Sequence, residues 1–89
     1  MKSETTEKFR LLFAQAPEPT QKKIKAAYQL WAENPHHPSL RFKKVHDRLP
    51  IYSVRVDLNW RAVGVLRDDT VIWFWIGPHG EYEKLLRAL

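Results

Sequence analysis

Phe9, Leu12, Phe13 and Ala16 fall at i, i+3, i+4 and i+7, the spacing of one apolar helix face over roughly residues 4–15. Pro17-Glu18-Pro19 stops that helix, because proline cannot continue the hydrogen-bond ladder. The second proline suits the first turn of a new helix. Ile24, Ala27, Tyr28 and Trp31 then repeat the spacing over residues 19–33. Two short amphipathic helices joined by a tight turn make a hairpin with one apolar stripe on each arm. Each stripe needs a further surface to cover it.

After the polar connector Asn34-Pro35-His36-His37-Pro38-Ser39, the period changes from 3.6 to 2. Leu40 and Phe42 alternate with Arg41 and Lys43, and Tyr52, Val54 and Val56 alternate with Ser53, Arg55 and Asp57. Trp60 to Leu66 and Val71 to Ile76 are apolar on both faces, which marks the last of these strands as central. Asp57-Leu58-Asn59 and Asp68-Asp69 are hairpin turn signals. A short helical tail carries Tyr82, Leu85, Leu86 and Leu89. The pattern predicts an α+β fold: an N-terminal helical hairpin on a four-stranded, mostly antiparallel twisted sheet, with a short C-terminal helix. Residues 1–89 are expected to form a single domain.

Composition narrows the chemistry. The chain has no cysteine, so thiolate catalysis, disulfides and cysteine-based metal sites are excluded. Its longest apolar run, Val71–Ile76, is far short of the ~20 residues that span a bilayer, so no membrane partner is expected and the cytoplasm is the expected location. The net charge is +5. Most of it sits in residues 40–61, where Arg41, Lys43, Lys44, Arg48, Arg55 and Arg61 face only Asp47 and Asp57. Such a concentration suits a polyanion, nucleic acid or an acidic protein, and also suits a solvated face.

Two constellations could carry chemistry. If Asp57-Leu58-Asn59 is a three-residue loop with Asn59 left-handed, Arg55 and Arg61 become cross-strand neighbours. Like charges so placed repel unless an anion lies between them, or unless Asp47 and Asp57 neutralise them. A two-residue turn would put them on opposite faces. The second constellation is His79 with Tyr82, just past the last strand. Histidine titrates near neutrality and can move protons in either direction. The alternative is a histidine capping the final helix and a tyrosine packed on it. His36, His37 and His46 lack carboxylates at ligand spacing, so no metal is expected.

The order of these pieces resembles the RelE/ParE superfamily of toxins from bacterial type II toxin–antitoxin pairs, across nearly the whole chain. The residues that carry the resemblance are Ala27–Trp31, Pro35–Lys43, Tyr52–Val56, Trp60–Gly64 and Trp73–Tyr82, which includes an H-x-x-Y segment at His79 and Tyr82. It implies two helices on one face of the sheet, an open concave second face, no cofactor, and an antitoxin partner that wraps the toxin. The RelE-like branch implies a metal-independent endoribonuclease that cuts mRNA, in many members on the ribosome, and so blocks translation and arrests growth. The ParE-like branch implies a non-enzymatic inhibitor of DNA gyrase. On the first reading Arg61 serves the phosphate, and His79 and Tyr82 serve proton transfer or base positioning. Arg41, Lys43, Lys44 and Arg55 hold RNA, with His46 as an additional contact. The chain departs from the ribosome-dependent pattern in its fewer lysines and in Glu81 and Glu83 beside the site. It departs from the gyrase-poison pattern in lacking a basic tail, with only Lys84 and Arg87 after His79.

Overall fold

The computed structural model describes residues 1–89. Its elements in chain order are β1 (Lys2–Thr5), α1 (Glu7–Gln15), α2 (Glu18–Glu33), a 3₁₀ turn (Pro38–Leu40), β2 (Lys43–Lys44), β3 (Ile51–Arg55), β4 (Trp60–Arg67), β5 (Thr70–Pro78) and α3 (His79–Ala88). The α+β class, the helical hairpin and the C-terminal helix are as the pattern predicts. The sheet has five strands rather than four, ordered β1-β5-β4-β3-β2.

The extra strand comes from the N-terminus. Helix α1 starts at Glu7, not near residue 4, because Thr6 caps it: the Thr6 Oγ1 accepts from the Phe9 N–H at 3.1 Å. The residues before the cap pair in parallel with β5, Lys2 opposite Thr70 and Thr5 opposite Trp73. Main-chain bonds from Lys2 N–H to Asp69 O (2.8 Å) and Thr6 N–H to Trp73 O (3.0 Å) fasten the two ends of β1. With β1 on its outer side, β5 is an inner strand, which explains its apolar character on both faces.

The expected strand around Leu40 and Phe42 is mostly something else. Pro38–Leu40 form a 3₁₀ turn, and Arg41 is left-handed with φ 47°. That conformation costs a non-glycine residue about 1–2 kcal/mol. Only Lys43 and Lys44 pair with β3, opposite Ser53 and Tyr52.

The two hairpin turns differ in mechanism. Asp68 takes positive φ (55°) in the β4–β5 turn, as its residue type allows. The β3–β4 connection is the three-residue loop, with Arg55 opposite Arg61. Asn59 is not left-handed there. Instead the Asp57 carboxylate accepts from the main-chain N–H groups of Asn59 (2.8 Å) and Trp60 (2.9 Å), closing the loop from its side chain.

The helical hairpin covers one sheet face. Phe9, Ile24, Ala27 and Trp31 pack there on Val54, Ala62, Val71, Trp73 and Ile76. Trp31 and Trp73 meet edge to face with centroids 5.4 Å apart, and both indole N–H groups are buried without a partner. The other face is not fully open. Helix α3 lies over part of it, and Tyr82, Leu85 and Leu86 join Ile51, Val63 and Trp75 in a smaller cluster.

Candidate functional site

Strand alternation decides what the second face carries. Val54 and Ala62 point to the helices, so Ser53, Arg55 and Arg61 point away from them. Lys43 joins the row opposite Ser53, and Arg41 arrives from the left-handed turn. Gly77 stands opposite Arg61 on β5, and the chain then enters α3. The His79 N–H donates to the Asn59 carbonyl at 2.7 Å, which ties the start of α3 to the β3–β4 loop.

These elements enclose a cavity of about 240 Å³ lined by Arg41, Lys43, Ser53, Arg55, Arg61, His79 and Tyr82. Four of the seven are permanent cations and none is a carboxylate. The sequence-based neutralisation of Arg55 and Arg61 by Asp47 and Asp57 does not occur. The Asp57 carboxylate pairs with Lys23 of α2 at 3.4 Å, and Asp47 is in no ion pair. Arg61 bonds to neutral main chain, donating from Nη1 to the carbonyls of Asp57 (2.6 Å) and Trp60 (3.1 Å). Those contacts fix the guanidinium without cancelling its charge. Burial first, then Arg55, pushes Arg61 below its usual value; Tyr82 and Asp57 offset this in part, and Arg41 adds to it. Guanidinium remains charged regardless. Four cations with no carboxylate in the lining, Arg61 among them fixed by main-chain bonds, make an anion site in their electrostatics.

His79 sits at the rim, half exposed, with Nδ1 3.5 Å from the Glu83 carboxylate one turn along α3. Tyr82 is buried, and its hydroxyl donates to Ser53 Oγ at 3.1 Å. The two rings lie 6.0 Å apart.

Of the residues singled out in the sequence, Arg41, Lys43, Arg55, Arg61, His79 and Tyr82 converge on this cavity. Lys44 and His46 do not line it. Lys44, next to Lys43 in an extended strand, faces the other way. His46 organises the β2–β3 loop: its Nδ1 accepts from the N–H groups of Arg48 and Leu49, which leaves Nε2–H to donate to the Leu89 carbonyl at 3.1 Å. Glu81 points elsewhere as well. It pairs with Lys84 at 3.5 Å and lines a separate groove with Trp75 and Pro78. Ser53 is the residue that pattern reading passed over. Its only signal in the sequence is a small hydroxyl among β-branched and aromatic strand residues.

Comparison with known proteins agrees with the architecture. The family model described as a ParE-like toxin domain matches residues 18–84. A chain of the RelB–RelE antitoxin–toxin complex from Methanococcus jannaschii superposes with a TM-score of 0.73 at 17% identity, over 92% of this chain and 96% of that one. YafQ from E. coli gives 0.72 at 15% identity, over 91% and 96%. A YoeB/ParE toxin from Agrobacterium tumefaciens gives 0.68 at 14% identity, over 89% and 99%. No curated protein sequence matches the chain. Identities this low speak for the fold, while the family match spans α2 through most of α3 and the whole cationic cavity. The fold is shared with the RelE and YafQ chains, and the chain belongs to the ParE-like toxin domain family.

Proposed function

We propose that this protein is a toxin that cleaves mRNA as a metal-independent endoribonuclease and so blocks translation. The observation that carries this reading is the cavity of four cations without a carboxylate, with a histidine at its rim. Cleavage needs three things. The ribose 2′-hydroxyl must lose a proton as it attacks phosphorus, the 5′-oxygen must gain one as its bond to phosphorus breaks, and the added negative charge must be stabilised. Arg61 and Arg55 face each other across the hairpin and would clamp the phosphate oxygens between them. Arg41 and Lys43 would hold the flanking backbone. Neutral His79 would take the 2′-proton, and its protonated form would return a proton to the 5′-oxygen, leaving a 2′,3′-cyclic phosphate. The partners on this reading are mRNA, free or on the ribosome, and a cognate antitoxin. The antitoxin follows from relatives crystallised as RelB–RelE and DinJ–YafQ complexes.

One observation favours a second reading, inhibition of DNA gyrase: the matching family model is the ParE-like one. Primer extension on a reporter mRNA after induction separates the two. The nuclease gives discrete new 5′ ends. His79→Ala and Arg61→Ala should each lower cleavage by about 10²–10⁴-fold with the far-UV spectrum unchanged. Intact mRNA together with blocked supercoiling would establish the gyrase reading instead.

A further inference from the structure

Ser53 is the one polar side chain in the buried set, only 2% exposed, in the middle of β3. A valine or alanine would meet every packing demand of a central strand there. The hydroxyl instead lines the cationic cavity and meets Tyr82. The pair has two hydroxyl protons. The phenol is the stronger acid and donates to Ser53 Oγ, which uses one of them. The Ser53 proton is left over, and neither hydroxyl has another hydrogen-bond partner in the protein. The nearest polar neighbours do not solve this. Arg41, Lys43, Arg55 and Arg61 are donors only. His79, the remaining polar residue of the lining, directs Nδ1 toward Glu83. A buried hydroxyl proton without an acceptor is costly. A ligand seated in the cavity can supply that acceptor, and beside four cations an anionic oxygen is the favoured one.

We propose that Ser53 is a further ligand of the bound phosphate, donating its hydroxyl proton to a non-bridging oxygen, and that Tyr82 acts through Ser53 instead of touching the RNA. The inference rests on the cavity being the site where the RNA phosphate binds. The Tyr82 hydroxyl, by occupying a lone pair of Ser53 Oγ, turns the serine proton toward the cavity. Tyr82 is thereby a positioning residue. The arrangement offers five donors and no carboxylate, so it selects a phosphate oxygen that carries no proton.

The test uses the full-length protein and inorganic phosphate as probe, followed by NMR titration, with an RNA carrying a 2′-deoxy nucleotide at the cleavage position as the second ligand. Ser53→Ala should weaken both ligands by about tenfold, the value of one hydrogen bond to a charged group. Tyr82→Phe should weaken them less. The double variant should bind no worse than Ser53→Ala alone, because Tyr82 has nothing to orient once the serine hydroxyl is gone. Should Ser53→Ala fold poorly, Ser53→Cys, nearly isosteric and a weak donor, takes its place with the same expectation. Unchanged phosphate affinity in either Ser53 variant overturns the proposal, as does a wild-type protein that binds no phosphate. Additive losses in the double variant would mean that Tyr82 contacts the ligand itself, overturning its positioning role. Ser53-dependent phosphate binding in a protein that leaves mRNA intact would sink the nuclease reading and leave this assignment standing.

Discussion

The two faces of the sheet are built from the same strands and have opposite characters. On one, Val54, Ala62, Trp73 and Ile76 meet α1 and α2 in a dry, apolar layer. On the other, one residue away along each strand, Ser53, Arg55 and Arg61 meet each other with little to neutralise them. The first face gains free energy by excluding water. The second holds like charges together at a cost, tolerable because the first supplies the stability. A period of two lets one short sequence do both, except on β5, where a bulge opposite Val63 and Gly64 brings Trp73 and Ile76 to one face.

If the faces divide the labour in this way, substitutions should divide too. The largest effect is expected on the helix side. Trp31→Ala removes the indole that meets Trp73 and Phe42 edge to face and should cost about 3–5 kcal/mol in urea unfolding. At temperatures where the variant remains folded, phosphate affinity should match the wild type; a parallel loss of binding would break the division.

Gly77→Ala comes next, on the site face. A Cβ there would lie 2.6 Å from the Trp75 ring, so the indole must move. The expected cost is about 1–3 kcal/mol, with a shift in tryptophan emission. An unshifted spectrum would show that Trp75 is not packed on Gly77 in solution.

Asp57 links the two faces and should give a smaller effect with a distinctive pH dependence. Its carboxylate closes the loop that also holds Arg61 and the start of α3. Partial burial works to raise its pKa, but bonds from Asn59 N–H, Lys23 and Trp60 N–H outweigh this and hold it below the ordinary value. A carboxyl group depressed in the folded state adds stability above its unfolded pKa of about 3.9, and that stability is lost as pH falls through the lower folded value. Thermal melts from pH 5 to pH 2 should show this loss in the wild type. Asp57→Asn should flatten that part of the profile while keeping the loop, since its amide oxygen can still accept. Asp57→Ala should lose about 1 kcal/mol near neutral pH, with a smaller deficit toward pH 2, and should displace Arg61, read as weaker phosphate binding.

The smallest effect has the opposite sign. Arg55→Gln removes a charge directly opposite Arg61 and should stabilise the protein by about 0.5 kcal/mol in phosphate-free, low-salt buffer. The gain should shrink as salt or phosphate is added. Destabilisation in low salt would mean that the second face carries no net repulsion.

How much of this was legible in the chain follows from where the information sits. Helices α1 and α2 and strands β3 to β5 announce themselves by period. Strand β1 does not, because Lys-Ser-Glu-Thr has no apolar residue to pattern, and main-chain bonds to β5 hold it in place. The Leu40–Phe42 alternation misled because Pro38 and the left-handed Arg41 impose a turn that the side-chain pattern ignores. In the site, Arg55, Arg61, His79 and Tyr82 were candidates by residue type and family resemblance, while the turn that sets Arg55 opposite Arg61 was one of two the sequence left open. Ser53 was not, since its importance depends on what lies across 29 residues of sequence. The separation of Lys44 and His46 from the cavity likewise depended on strand parity and a loop bond.

The parallel pairing of β1 with β5 also bears on the order of events during synthesis. Strand β1 has its partner at Thr70–Trp73, so it waits for β5 to be made before it can be placed. The cavity waits longer, for His79 and Tyr82. Nascent chains that stop short of α3 have the helical hairpin and the cations but no enclosed site. The lining of the cavity is therefore the last part of the sheet face to be completed, once α3 has folded over β3 and β4.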